Sequence, residues 1–132
     1  MVLLDTNLVS YFFRRDSRAA AYAPALMGQV RGIAHVTLAE LYKWPLERGW
    51  GERRRLELEV YLASHVVLPS DDLLARRWAE MSVKLKRAGR GITDADAWIA
   101  ATALRHQVPL ATHNRRHFEH IPGLTLISFA PH

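Results

Sequence analysis

The chain predicts an α/β sandwich: a central, mostly parallel five-stranded sheet flanked by helices on both faces. Three observations carry that fold class. Short apolar runs at 2–4, 33–36, 66–68, 108–112 and 124–128 recur along the 132 residues, and they lack the polar alternation of a sheet with one wet face. Amphipathic stretches of helical period separate most of them, as parallel strands require. Acids or small capping residues stand where strands give way to helices.

Taken in order, residues 2–4 read as a buried strand ending at Asp5, with Thr6 or Asn7 capping a helix over 8–14. A second helix covers 18–30, with Pro24 as a break. Gly32 precedes the strand at 33–36. Thr37 opens a helix over 38–46 disturbed by Pro45, and G-W-G at 49–51 is a turn. Residues 52–63 read as helix, with Arg53/Glu57 and Arg55/Glu59 at i,i+4 spacing. Pro69 closes the strand at 66–68, and Ser70 caps a long helix to about residue 88 that G-R-G at 89–91 ends. Thr93 starts the next helix, whose Ala97, Ala100, Ala101 and Ala103 allow close packing on a sheet. No repeat or linker interrupts the chain, so residues 1–132 are expected to form one domain.

Composition narrows the class. Hydrophobic residues make up 49% and charged residues 23%, a globular balance. Cysteine is absent, which excludes disulfides and thiolate zinc sites. No stretch approaches a membrane span, and the N-terminus lacks a basic leader region, so a cytoplasmic protein is expected. Eighteen Lys and Arg against 13 Asp and Glu give a net charge of +5. Only Lys43, Lys84 and Lys86 are lysines. Arginine suits bidentate phosphate recognition, although GC-rich coding yields the same bias.

The acids at the junctions are the candidate site: Asp5, Glu40 and the pair Asp94/Asp96. Two carboxylates about 5 Å apart repel by roughly 3 kcal/mol at an effective dielectric of about 20. A fold that gathers several therefore calls for a divalent cation, and such sites commonly act on phosphate esters. Each acid also has a plain structural reading. Asp5 is a potential helix cap, Thr37-x-x-Glu40 is a capping-box pattern, and Thr93-x-x-Asp96 puts an acid in a first helical turn. Asp71 and Asp72 fit that dipole explanation without remainder.

The strings L-L-D-T-N at 3–7, T-L-A-E-L at 37–41, D-A-D-A-W-I-A-A-T-A-L at 94–104 and L-A-T-H-N-R-R-H-F at 110–118 closely resemble the PIN-domain ribonucleases. Within them the chain is similar to the VapC toxins of type II toxin–antitoxin pairs. The resemblance implies a PIN-like sandwich, Mg²⁺ or Mn²⁺ in an acidic pocket, and endonucleolytic cleavage of RNA. By position, Asp5, Glu40 and Asp96 match the near-invariant acids, and Asp94 stands where some members carry one more. Asn114 occupies the fourth position, which is aspartate in some relatives. His117 departs from the acid often found in the pattern N-x-x-D-F.

In this reading Asp5 and Asp96 hold the metal, and Glu40 orients the attacking water or completes the shell. Asp94 and Asn114 shape the site, while Thr6 or Thr112 bonds a carboxylate or the phosphate. Arg115, Arg116 and His117 are the candidate RNA contacts, with Arg14, Arg15, Lys84, Lys86, Arg87 and Arg90 extending a basic path. The resemblance further implies a homodimer and a VapB-like antitoxin whose C-terminal segment covers the acidic pocket. The aromatic excess at Tyr11, Phe12, Phe13, Tyr42, Trp44 and Trp50 leaves room for a groove that takes such a helix. Two alternatives stay open. A phosphatase would use Asp5 as nucleophile but wants a second acid where Asn7 stands. A degenerate PIN-like module would bind RNA or protein without cutting.

Overall fold

The structure is a computed structural model that describes residues 1–130; the last two residues of the expected 1–132 domain lie outside the described residues. Five strands form one sheet: β1 (Val2–Leu4), β2 (Arg31–Ala34), β3 (Val66–Leu68), β4 (Leu110–Ala111) and β5 (Leu126–Ile127). Their order is β3-β2-β1-β4-β5. Every pairing is parallel, with Leu3 opposite both Gly32 and Leu110. The sheet is thus wholly rather than mostly parallel.

Alternation along β1 separates two cores. Leu3 points to one face, where Met81, Leu85, Ile99, Leu110 and Phe118 gather. Val2 and Leu4 point to the other, with Leu8, Tyr22, Ile33, Leu41 and Leu58. All three β1 residues are buried, so the strand reads as an unbroken apolar run because both faces are covered. The first face carries α6 (Asp72–Arg87), α7 (Asp94–His106) and α8 (Arg115–Phe118). The second carries α1 (Thr6–Phe13), α2 (Ser17–Ala20), α3 (Ala23–Leu26), α4 (His35–Arg48) and α5 (Glu52–Leu62). Among the described residues no helix is long and apolar enough to cross a membrane.

Several local expectations change. The helix expected over 18–30 is two one-turn helices, because Pro24 sits at the start of the second and Gly28 turns the chain at φ 75°. The strand expected at 33–36 stops at Ala34, and α4 begins at His35, two residues before the expected cap at Thr37. Pro45 lies inside α4 without ending it; Gly49, left-handed at φ 64°, does so. Asp71 rather than Ser70 caps α6, accepting from the Leu74 N–H at 2.9 Å. The strands at 110–111 and 126–127 are shorter than expected, and α8 was not expected at all. Arg53 pairs with Glu57 at 3.6 Å as expected, but Glu57 takes Arg54 as its second partner at 3.5 Å, and no Arg55–Glu59 pair forms among the described residues.

The early aromatics are mostly half-buried, and arginines cover them. Arg54 lies over Phe13 and Trp50, Arg31 over Phe12 and Arg48 over Trp44. The guanidinium planes shield ring faces that one helix side cannot bury.

Candidate active site

Strand β1 is central, and its neighbours β2 and β4 are reached by crossovers in opposite directions. That is a topological switch point, where a crevice opens beyond the carboxyl ends of parallel strands. Asp5 follows β1, Thr112 follows β4, and α4 follows β2 with Glu40 on it. Asp96 comes from the first turn of α7, packed against the same sheet.

Asp5 is 3% exposed. It stands at the N-cap of α1, and one carboxylate oxygen accepts the Thr6 N–H at 2.8 Å. The expectation that Thr6 or Asn7 does the capping is therefore corrected. The capping role does not exhaust the side chain. Its other oxygen accepts the Thr112 hydroxyl at 2.8 Å, and Thr112 Oγ1 in turn accepts the Asn114 N–H at 3.0 Å. Burial pushes the Asp5 carboxyl above its ordinary range. The Thr112 hydroxyl opposes that shift, and the negative charge of Asp96 adds to it.

Glu40 forms no capping box. Thr37 lies within α4 and is fully buried, its hydroxyl 2.9 Å from that of Thr6. Thr6 therefore spends its side chain on Thr37, and only its backbone N–H meets Asp5. Glu40 is left with Oε1 buried and without a hydrogen-bond partner. Burial raises its carboxyl above the ordinary range first, and repulsion from Asp5 and then Asp96 raises it further, against Lys43. Three acids from three separate elements therefore share one electrostatic field.

Asp96 does not bond its own helix end through its carboxylate. Thr93 caps α7 by accepting the Asp96 N–H at 3.3 Å, which leaves the side chain to accept from His117 Nδ1 at 2.9 Å. Its side chain is 17% exposed, at the rim of the crevice. Asp94 is exposed, in the first turn of α7 two residues before Asp96. Among the described residues no three His, Asp or Glu side chains converge into a ready-made cation cage.

Asn114 contributes a backbone N–H to the Thr112 hydroxyl, and its side chain caps nothing. Arg115, Arg116 and His117 form the first turn of α8, half-buried to exposed. Two supports escaped the sequence reading. Thr37 reads as a cap in the sequence, and Tyr22 stands in an unremarkable helical stretch. The buried Tyr22 hydroxyl donates to the Thr112 carbonyl at 3.1 Å, lies 2.9 Å from His113 Nδ1 and accepts the Phe129 N–H at 3.1 Å. It pins the turn that carries Thr112 to Asn114. A pairing across about ninety residues leaves no local signal.

Comparisons with known proteins agree with this fold. The PIN domain family matches residues 2–124. The chain is 35% identical to VapC ribonuclease Y4jK of Sinorhizobium fredii, over 97% of this chain and 96% of that protein. Its fold is similar to VapBC-1 from nontypeable Haemophilus influenzae, with a TM-score of 0.84, 27% identity, and coverage of 97% and 98% of the two chains. It is also similar to VapBC-5 from Mycobacterium tuberculosis, a member of the VapBC family of toxin–antitoxin systems (TM-score 0.69, 26% identity, 98% and 97% covered). With the profile spanning nearly the whole chain, the protein belongs to the PIN-domain family and is closely related to the VapC toxins of type II toxin–antitoxin systems.

Proposed function

We propose that the chain is a divalent-metal-dependent endoribonuclease that acts as the toxin of a toxin–antitoxin pair. The observation that carries this reading is Glu40 Oε1, buried without a partner while the charges of Asp5 and Asp96 bear on it. An arrangement that raises two carboxyls by burial and mutual repulsion lacks a positive charge. The donors are all hard carboxylate oxygens, which fits Mg²⁺ or Mn²⁺. A ready-made cage is not required, because Mg²⁺ takes one or two protein carboxylates and keeps several waters. Asp5 and Asp96 would hold the ion. When bound, such an ion polarises a phosphoryl oxygen and lowers the pKa of a water.

The chain's own residues do the remainder. Thr112 and the Thr6 N–H fix the Asp5 carboxylate in one orientation. Glu40, whose Oε1 has no other partner, would accept a proton from an attacking water. Arg115 and Arg116, at the head of α8, supply charge for the RNA backbone. An antitoxin and a second copy of the chain are the proposed partners, by analogy with the VapBC relatives. An antitoxin arginine entering among the acids would answer the same missing charge.

The test is cleavage of total RNA by the purified protein with Mg²⁺ or Mn²⁺, against an EDTA control and against Asp96→Ala. Cleavage that survives in both controls would sink the proposal. One observation favours a second reading: His117 occupies an oxygen of Asp96, as it would in a module that binds RNA without cutting. RNA binding with no metal-stimulated cleavage would favour that module.

A further inference from the structure

The connection between α6 and α7 and the short α8 enclose a cleft of about 420 Å³, with Asp96 and His117 among its walls. Its other residues divide by chemistry. Leu85, Ile92 and Ile121 form an apolar floor, and Arg90, Arg116 and His120 bring cationic or protonatable groups. Neither Arg90 nor Arg116 pairs with a carboxylate among the described residues, whereas Arg76, Arg77 and Arg105 each do. Two further concavities lack this combination. The one across α8, about 240 Å³, shares Arg116 and His117 but is lined by Asn114 and Glu119 and has no apolar floor. The groove beside Ala39, Leu74 and Trp98, about 490 Å³, is apolar but contains Asp71 and no arginine.

We propose that the cleft between Arg90 and α8 seats one nucleotide of the RNA strand beside the bond to be cut. Its base lies on Leu85, Ile92 and Ile121, and its phosphate meets Arg90 and Arg116. The proposal rests on the nuclease reading above. A nucleotide joins a flat, weakly polar base to an anionic edge, and this concavity offers a surface for each beside Asp96. Its volume is inside the roughly 300–1,000 Å³ range of small-ligand sites. An unstacked RNA base is held by apolar contact and by guanidinium planes, and the arginine fork matches phosphate geometry. Asp96 lines the cleft and also acts on Asp5 and Glu40, so a nucleotide seated there is the immediate neighbour of the acids. The cleft thus confers a base preference on one side of the cut.

The experiment uses Ile92→Trp, which fills the floor, and Arg90→Ala, with Arg53→Ala on α5 as a remote control. Arg90 and Arg53 are exposed, whereas Ile92 is half-buried against the core, so circular dichroism first checks that Ile92→Trp keeps the fold. The probes are short RNA oligonucleotides randomised around a cleaved bond, cut with Mn²⁺, and the same RNA bound without metal. Ile92→Trp is expected to raise KM about tenfold, equivalent to ~1.4 kcal/mol, and to change the base ranking at one flanking position. Arg90→Ala is expected to weaken metal-free binding evenly across sequences and to lower the salt slope by about 0.7. Arg53→Ala should leave all three readouts in place. If the wild type cuts RNA while both cleft variants keep its KM, base ranking and salt slope, the seat is overturned and the nuclease reading stands. Metal-free binding that Ile92→Trp weakens, with no cleavage by the wild type, upholds the seat and overturns the nuclease reading. A wild type that neither binds nor cuts overturns both.

Discussion

Asp5 and Asp71 occupy the same place in the grammar of the chain and end in opposite electrostatic states. Each follows a strand, each caps a helix, and each accepts a backbone N–H. At Asp71 the remaining charge is answered: Arg105 reaches across from α7 with Nε at 3.0 Å and Nη2 at 2.7 Å, and its guanidinium holds the carboxyl down at about 2. At Asp5 the carboxylate is buried with no arginine paired to it among the described residues, the charge of Asp96 bears on it, and the carboxyl is pushed up instead. An acid answered by an arginine serves to fasten α6 to α7. An acid left unanswered is, under the proposed function, the one that holds a place for a cation. Capping propensity describes both residues equally well, so the discriminating fact is what surrounds the second oxygen.

The largest effect that sharpens this contrast is catalytic. Asp5→Ala or Asp96→Ala should lower the rate of metal-dependent RNA cleavage by about 10³-fold or more, and circular dichroism should show the fold intact. Asn114→Asp comes next. It adds a negative charge beside Thr112 and should tighten Mn²⁺ binding about tenfold by calorimetry; unchanged affinity would mean that Asn114 faces away from the ion.

A smaller effect appears in stability. The folded-state pKa of Asp5 is raised, so its ionised form opposes folding at neutral pH; that penalty begins to fall as pH drops through the raised value and is gone below the ordinary carboxylate range. Asp5→Asn should therefore stabilise the metal-free protein on the order of 1 kcal/mol at neutral pH. The gap between variant and wild type should close on acidification, and Mg²⁺ should raise the Tm of the wild type alone. Thermal melts across pH read all three outcomes; a gap that widens toward acid would contradict the assignment.

Asp71→Ala should do the least. It removes a cap and one half of an exposed ion pair, lowers Tm by a few degrees, and leaves RNA cleavage at the wild-type rate. Because the Asp71 pKa is depressed to about 2, its contribution persists above the ordinary carboxylate range and is lost only as pH falls toward 2. Loss of cleavage in this variant would erase the distinction between the two acids.

Much of the architecture was readable in one dimension. Residues 2–4 and 66–68 are strands as expected, and the alanines of 97–103 lie against the sheet because small side chains permit close approach. Boundaries near Thr37 and Ser70 moved, since cap preference is worth about 1 kcal/mol and tertiary contacts outweigh it. The turn of α8 escaped notice because four residues are too few to show a period. At the site, the acids stood out as residue types at junctions. The Thr37–Thr6 contact, the Tyr22 hub and the His117–Asp96 pair did not, since each joins residues far apart in the chain.

By itself, then, the sequence determined the alternation of strand and helix and the identity of the acids, both of which follow from local propensity and from the burial of apolar runs. Only the tertiary structure decided which acid was to be neutralised and which left exposed to its neighbours' charge. That outcome depends on distances and dielectric, quantities that arise when β1, α4 and α7 are brought together and that no linear spacing contains.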